Sequence, residues 1–181
     1  MTLPRCDVPV DTRRPQSLHE NEWLVTNALG GYASGTVSGS VTRRYHGVLV
    51  AALPNPLGRT VLLNALQDFL EVEQLREFAV VAGIPVWHYV VGSSVISKRI
   101  VMPHRQNTTV IQYRLESGPP VSLRLSPAVH FRGYEAAVSD PNVFAEPVRY
   151  SGTLTLHPEW EIGEYVCAEN NQDYDELFEE K

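Results

Sequence analysis

The stretch that decides the fold is Thr108-Thr109-Val110-Ile111-Gln112-Tyr113-Arg114-Leu115. Its side chains fall into two alternating sets. Thr109, Ile111, Tyr113 and Leu115 form one set, and Thr108, Val110, Gln112 and Arg114 form the other. Because successive side chains of a β-strand point to opposite faces, this alternation is typical of a strand with one buried face. The sequence therefore predicts a β-strand here.

Short segments of the same kind recur along the chain about every eight to twelve residues, with turn residues between them. Leu154 and Leu156, for example, alternate with Thr153 and Thr155. Residues 64–78 come closest to a helical pattern, and we interpret them as a strand hairpin. Together these patterns predict an all-β, antiparallel sandwich with little helix. The other predicted strands are Tyr45–Leu53, Arg59–Leu63, Asp68–Glu73, Val86–Val91, Val95–Met102, Val121–Ser126 and Asn142–Tyr150.

Length and charge limit the possible functions of the chain. Its 181 residues can bury one sizeable core, and we divide them into an N-terminal arm (1–17), a sandwich (18–168) and an acidic tail (169–181). Residues 159–181 contain nine carboxylates and a single lysine, whereas the rest is nearly neutral. Without a basic stripe or a long apolar run, we expect no nucleic-acid or membrane partner. No secretory signal is visible, so a cytoplasmic location is expected.

An unusual segment runs from Glu22 to Gly47. It contains Glu22-Trp23-Leu24-Val25-Thr26-Asn27-Ala28-Leu29-Gly30-Gly31-Tyr32-Ala33-Ser34-Gly35-Thr36-Val37-Ser38-Gly39 and then Arg43-Arg44-Tyr45-His46-Gly47. Glycines at this density allow turns and close approaches of the backbone. Arg, Tyr, Trp and His bind polyhydroxylated or anionic ligands through hydrogen bonds and stacking. The segment therefore indicates a binding surface carried on a β scaffold.

Six residues of this segment are candidates for substrate binding: Trp23, Tyr32, Arg43, Arg44, Tyr45 and His46. On a strand, Arg43 and Tyr45 would share one face, and Arg44 and His46 the other. Two interpretations stay open, because the arginines can line a ligand site or instead fix the fold and an interface. We expect Trp23 and Tyr32 to be exposed and Trp87 to lie in the core.

The sequence shows no catalytic apparatus of its own. Glycosidases need two carboxylates that flank the scissile bond, whereas Glu71 and Glu73 would share one face of a predicted strand. The glycines lack the lysine and hydroxyl residue of a phosphate loop. The six histidines have no metal-ligand spacing. We therefore predict no catalytic residues, no metal and no cofactor, and we do not expect this chain alone to hydrolyse a glycoside.

Several segments carry a family resemblance, and the segment from Glu22 to Gly47 is the most specific of them. With these segments the chain resembles the N-terminal domain of the archaeal and bacterial type of glycogen debranching enzyme, in the amylo-α-1,6-glucosidase family. One departure is Arg132-Gly133-Tyr134-Glu135, where the family tends to have Arg-Asp-Tyr-His. The matching segments are Glu22–Asn27, Leu29–Thr36, Thr42–Ala52, Leu57–Leu63, Trp87–Tyr89, Lys98–Met102 and Asn107–Leu115.

The resemblance implies a fold and a role. The fold is an antiparallel super-sandwich, similar to galactose mutarotase and to the N-terminal domain of glucoamylase-like hydrolases. The role is that of an accessory domain that binds α-glucan branches, either glycogen or maltooligosaccharides. A separate (α/α) barrel, C-terminal to this domain and absent from the 181 residues, would hydrolyse the α-1,6 bonds.

Two alternatives to this role stay open. One is a purely structural domain that docks the catalytic barrel. The other is a free-standing mutarotase-like protein, which would need His and Glu in a single pocket. The expected partners are α-glucan and the C-terminal helical catalytic domain. Exposed apolar surface would also allow a homo-oligomer.

Overall fold

The computed structural model describes residues 3–136, 148–149, 152–156 and 161–167. It contains thirteen strands, one short α-helix and one 3-10 turn, Val72–Gln74, within this described part. The elements are β1 (Arg5–Val8), α1 (Pro15–Glu20), β2 (Glu22–Thr26), β3 (Tyr32–Thr36), β4 (Gly47–Ala52), β5 (Arg59–Gln67), β6 (Leu75–Val81), β7 (Ile84–Val91), β8 (Ser94–Val101), β9 (Thr108–Ser117), β10 (Val121–Gly133), β11 (Val148–Arg149), β12 (Gly152–Leu156) and β13 (Glu161–Cys167).

The strands form two antiparallel sheets that pack as a sandwich. The first sheet has the order β1-β6-β7-β8-β9-β13, and the second has the order β11-β10-β5-β4-β3-β2. Strand β12 pairs with β10 outside this order. The all-β prediction with little helix is therefore confirmed.

The core lies between the sheets and includes two tryptophans. Trp23 of β2 and Trp87 of β7 meet edge to face, with ring centroids 5.5 Å apart. Their indole nitrogens donate to the carbonyls of Thr36 at 3.1 Å and Val37 at 2.9 Å. The core position expected for Trp87 is confirmed. The exposure expected for Trp23 is wrong, because its ring faces the core next to Gly35.

Strand β9 has the alternation that the sequence predicted. Thr109, Ile111, Tyr113 and Leu115 are all buried, whereas Arg114 is exposed. Ile111, Tyr113 and Leu115 belong to one hydrophobic cluster with side chains from the second sheet. Period-two patterning identified this strand because one of its faces is consistently buried.

The predicted hairpin over residues 64–78 is wrong. Strand β5 ends at Gln67 in the second sheet, and β6 begins at Leu75 in the first. The chain crosses between the sheets at Asp68, whose carboxylate accepts hydrogen bonds from Lys98 Nζ at 2.5 Å and Tyr113 Oη at 3.0 Å. These partners lie 30 and 45 residues away, so the local pattern did not reveal them.

Glu71 and Glu73 do not share a strand face as the sequence predicted. Glu71 precedes the 3-10 turn and forms a reciprocal capping pair with Gln74, in which the Glu71 backbone N–H donates to Gln74 Oε1 at 3.0 Å. Glu73 lies within the turn. The two carboxylates therefore belong to a capped turn that connects the sheets.

The N-terminal segment contributes to the sandwich. Within the predicted arm, β1 pairs with β6 and becomes an edge strand of the first sheet. Helix α1 begins at Pro15, and its Leu18 is fully buried in the core. Among the described residues, no helix is long and apolar enough to cross a membrane. The acidic tail and most of the predicted strand Asn142–Tyr150 lie outside the described residues.

Candidate functional site

An open groove lies on the outer face of the second sheet. Strand β2 turns Trp23 and Val25 inward, so its other residues point away from the core. Strand β3 continues this outer face, with Ser34 opposite Leu24 and Tyr32 opposite Thr26. The groove has a volume of about 600 Å³ and is bordered by the loop before β4. Its lining comprises Glu22, Trp23, Leu24, Thr26, Ala28, Gly30, Gly31, Tyr32, Ser34, Tyr45, His46 and Arg59.

The turn between β2 and β3 forms one end of the groove. The Asn27 side-chain oxygen accepts hydrogen bonds from the backbone N–H groups of Leu29 and Gly31, both at 3.0 Å. Gly30 has a φ of 97°, in the region that favours glycine. A Cβ on Gly31 would lie 2.7 Å from Asn27 Nδ2. These glycines serve the tight turn and the close approach that the sequence predicted.

Asn27 also ties this turn to the opposite sheet. Its Nδ2 donates to Asn107 Oδ1 at 3.1 Å and to the Gln106 carbonyl at 2.8 Å. The Asn107 amide group bonds both the N–H and the carbonyl of Ala52, each at 2.9 Å. Both asparagines are buried, so this network fixes the end of the groove against β4 and the start of β9.

The Arg43-Arg44-Tyr45-His46 run is a turn and not the predicted strand. The His46 N–H donates to the Arg43 carbonyl at 3.1 Å, which closes the turn. Tyr32 Oη donates to the Tyr45 carbonyl at 2.9 Å, and Arg132 Nη2 donates to the Arg44 carbonyl. These carbonyls therefore bond side chains from β3 and β10 and not a neighbouring strand. As a result, the first three residues of the run are exposed and His46 is buried.

His46 is held in one orientation beneath the groove. Only 2% of the residue is exposed. The Thr42 N–H donates to Nδ1 at 3.3 Å, which assigns the proton of the neutral ring to Nε2. Nε2 faces Glu22 Oε1 at 3.5 Å. Burial lowers the pKa of His46, and the nearby carboxylate only partly opposes this effect. The imidazole is therefore neutral near pH 7.

Arg43 pairs with Glu22 beside the groove. Arg43 Nε donates to Glu22 Oε1, and Nη1 lies 3.4 Å from the Tyr45 hydroxyl. The hydrogen bond from Arg43 is the main reason that the pKa of Glu22 is lowered. Glu22 is thus ionised and already paired at neutral pH.

The structure brings four of the six candidate residues to the groove, namely Trp23, Tyr32, Tyr45 and His46. Trp23 contributes from its buried position, whereas Tyr32 is partly exposed. Arg43 and Arg44 lie outside the lining. Arg43 engages Glu22, and the Arg44 carbonyl accepts from Arg132. The contact at Arg44 is made by its backbone, so both interpretations of the arginine side chains stay predictions.

Arg59 is a lining residue that sequence reasoning missed. Its Nε donates to the Gly30 carbonyl at 2.8 Å, and its guanidinium lies 5.7 Å from the centre of the Tyr134 ring. It begins β5, far from the glycine-rich segment in sequence. Its place in the resembling segment Leu57–Leu63 was the signal that could have identified it.

Arg132 supports the turn before β4 from below. It is buried, and its Nε and Nη1 have no hydrogen-bond partner among the described residues. Burial lowers the pKa of this guanidinium. Gly133 follows it where the resembling family tends to have aspartate. In the described part of the chain, no three metal-ligating side chains cluster.

The fold and the groove define a two-sheet antiparallel β domain with an aromatic-lined outer surface. A family model described as "Glycogen debranching enzyme N terminal" matches the chain at residues 21–78 and again at 72–175. The chain therefore belongs to the glycogen debranching enzyme N-terminal domain family. Neither the curated proteins nor the solved structures contain a significant match to it.

Proposed function

We propose that this chain binds α-glucan branches in the groove on its outer sheet face, as the accessory domain of a glycogen debranching enzyme. The observation that carries the proposal is the aromatic and apolar surface left open there. Leu24 is 61% exposed and Tyr45 is 41% exposed, and Tyr32 lies beside them. A concave site with aromatic side chains and a few polar groups is the usual form of a small-ligand site.

The polar groups of the groove suit a neutral sugar. Thr26 and Ser34 present hydroxyls on the same outer face, and the Arg59 guanidinium adds donors at one end. Arg43 already neutralises Glu22, so within the described lining Arg59 carries the one charge that has no carboxylate partner. A sugar ring would place its C–H surface on an aromatic ring and its hydroxyls toward these groups.

Hydrolysis of the α-1,6 bond belongs to a separate (α/α) barrel in this proposal. Within the described lining of the groove, Glu22 is the one carboxylate, and it is paired with Arg43. Glycoside hydrolysis requires a second carboxylate on the other side of the bond. The domain would therefore hold the branch while the barrel supplies the reacting acids.

Titration of the chain with maltotetraose tests this proposal. Replacing Tyr45 with alanine should weaken binding by about 5- to 10-fold, because stacking and burial of one aromatic ring are lost. Phe131→Ala is the matched control, since Phe131 is an aromatic with 42% exposure outside the groove lining. If the unmodified chain and the Tyr45→Ala variant bind maltotetraose with equal affinity, the groove is not the binding site.

The same exposed face supports the docking alternative. If the face around Leu24 and Tyr45 serves only to dock the catalytic barrel, it has no sugar site, and the isolated chain will not bind maltotetraose. In that case the separately produced barrel should bind the unmodified chain and lose affinity for the Tyr45→Ala variant. This pair of measurements distinguishes a sugar-binding face from a purely structural one.

One contact in the groove favours a second candidate function, the interconversion of sugar anomers. His46 and Glu22 meet in one site, with Nε2 and Oε1 3.5 Å apart. Ring opening needs a base at the anomeric hydroxyl and an acid at the ring oxygen. Here, however, the two groups contact each other and His46 is almost fully buried, so binding remains the preferred function.

Polarimetry tests this second function directly. A mutarotase would accelerate the approach of α-glucose to anomeric equilibrium, and Glu22→Gln would abolish the acceleration. An unchanged rate in the presence of the unmodified chain rejects it.

A further inference from the structure

We propose that the domain has a second carbohydrate site, in a cleft of about 580 Å³ beside the C-terminal half of β5 and the segment that follows it. Strands of both sheets line this cleft, with Asn64 from β5, Tyr89 from β7, Lys98 from β8 and His130 from β10. It shares no lining residue with the groove. The inference goes beyond the proposed function and does not require that the groove binds sugar.

The floor of the cleft holds a compensated ion pair. Lys98 Nζ and Asp68 Oδ2 are 2.5 Å apart, and both residues are buried. The Lys98 ammonium also lies 5.4 Å from the centre of the Trp87 ring. Because Asp68 balances the lysine, the floor offers hydrogen-bonding groups without net charge. This balance favours a neutral ligand over a phosphate or a carboxylate.

Three side chains offer unused hydrogen-bonding groups to the cleft. These groups are the Tyr89 hydroxyl, the Asn64 amide and the His130 imidazole, and they make no hydrogen bond in the described part of the structure. Their polar atoms are not among the fully buried atoms that lack a partner, so solvent can reach them. Tyr89 is itself 6% exposed. Burial raises the pKa of Tyr89 and lowers that of His130. A protonated phenol and a neutral imidazole therefore face the cleft at neutral pH.

An aromatic ring stands at the edge of this cleft. Phe69 is 56% exposed and has a φ of 57°, which is rare for a residue with a bulky side chain. The Leu70 N–H donates to Asp68 Oδ1 at 3.3 Å and helps to hold this conformation. The Arg124 guanidinium lies 5.6 Å from the centre of the ring. The backbone thus holds an apolar ring in solvent next to unused polar groups.

These features together select the ligand class. A neutral oligosaccharide has hydroxyls that both donate and accept, which suits the Tyr89, Asn64 and His130 groups. Its ring faces are apolar enough to stack on Phe69. An inorganic anion would use neither the ring nor the acceptor groups.

Chemical-shift mapping of the full 181-residue chain with maltotetraose tests the proposal. The backbone amides of Ser40, Gln67 and Ala128 report on the cleft, and those of Leu24 and Ser34 report on the groove. Sugar should shift the cleft amides in a saturable manner. Tyr89→Phe removes one hydroxyl and keeps the packing, and it should lower the affinity of the cleft for maltotetraose by about 3- to 10-fold.

Two further measurements make the test specific. Phe69→Ala should also lower the affinity of the cleft for maltotetraose, whereas Phe131→Ala should leave this affinity unchanged. The proposal is supported if maltotetraose shifts the cleft amides saturably and if Tyr89→Phe weakens this binding. The result holds whether or not the groove amides also shift. The proposal is overturned if sugar leaves the cleft amides unshifted, if inorganic phosphate shifts them in its place, or if both cleft variants keep the original affinity. Loss of groove shifts alone would count only against the proposed function.

Discussion

At the scale of single residues, His46 shows how burial and pairing set the charge of the groove. Its ring is enclosed, its Nδ1 accepts from the backbone, and its Nε2 faces Glu22. Arg43 holds the same carboxylate from the solvent side. The neutral imidazole and the ionised carboxylate are therefore the stable forms near pH 7.

This arrangement predicts that stability falls as the pH is lowered below about 6.5, the ordinary pKa of histidine. The folded chain holds the pKa of His46 below that value, so the unfolded chain takes up the proton first and is favoured on acidification. Glu22 adds to this loss at lower pH, because its pKa is also lowered in the folded state. Urea unfolding across this pH range measures the effect.

The control for this prediction is His46→Gln, which cannot titrate. Its stability should depend less on pH between 7 and 5, by at most about 1.4 kcal/mol per pH unit, the linkage limit for one proton. If both proteins lose stability along the same curve, His46 does not carry the effect.

At the scale of elements, local sequence pattern was sufficient where a strand has one consistently buried face. Strand β9 is such a case, and its inward residues were predicted correctly. The segment after β5 was not, because Asp68 enters the core toward Lys98 and Tyr113 of the other sheet. A pattern of neighbours cannot reveal partners that are brought together only by the sandwich.

The candidate site shows the same limit. The residue types of the groove were evident in the segment from Glu22 to Gly47, and four of the six candidates line it. The turn at residues 43–46 was not foreseen, since its carbonyls bond Tyr32 and Arg132 side chains. Arg59 was missed because β5 reaches the groove only through the pairing of β3, β4 and β5.

The asparagine network between the sheets gives a prediction at this scale. Asn107→Ala would leave the N–H and carbonyl of Ala52 and the amide of Asn27 without this partner. Unsatisfied buried polar groups are costly, so we expect a loss of about 2–4 kcal/mol in the free energy of unfolding. Urea denaturation monitored by tryptophan fluorescence gives the value.

Asn21→Ala is the matched control for this change. Asn21 is exposed, and its side chain makes no hydrogen bond in the described part of the structure. The same chemical truncation should therefore alter stability by less than about 0.5 kcal/mol. Similar losses in the two variants would show that the inter-sheet network is not the source of the effect.

At the scale of the whole molecule, the groove and the cleft draw on different parts of one sandwich. The groove uses the outer face around β2 and β3, whereas the cleft reaches side chains of both sheets. The exposed Leu24 lies on the edge strand of the second sheet in the described order. Apolar surface of this kind often mediates contacts between proteins.

We predict that the chain self-associates through this face at high concentration. A charge at the centre of the contact should weaken it, so Leu24→Lys should shift the protein toward the monomer in light scattering. Leu57→Lys is the control, because Leu57 is also an exposed leucine but lies outside the groove lining. A monomer at all concentrations would contradict the prediction.

The five residues of strand β2 alternate between a buried face and an exposed face. Trp23 and Val25 face the core, whereas Leu24 and Thr26 are exposed on the other face of the strand. We therefore expect that these two outward positions can be varied together in a combinatorial library while the chain still folds. The sandwich thus offers a scaffold on which the surface of one strand can be changed while the two tryptophans of the core stay fixed.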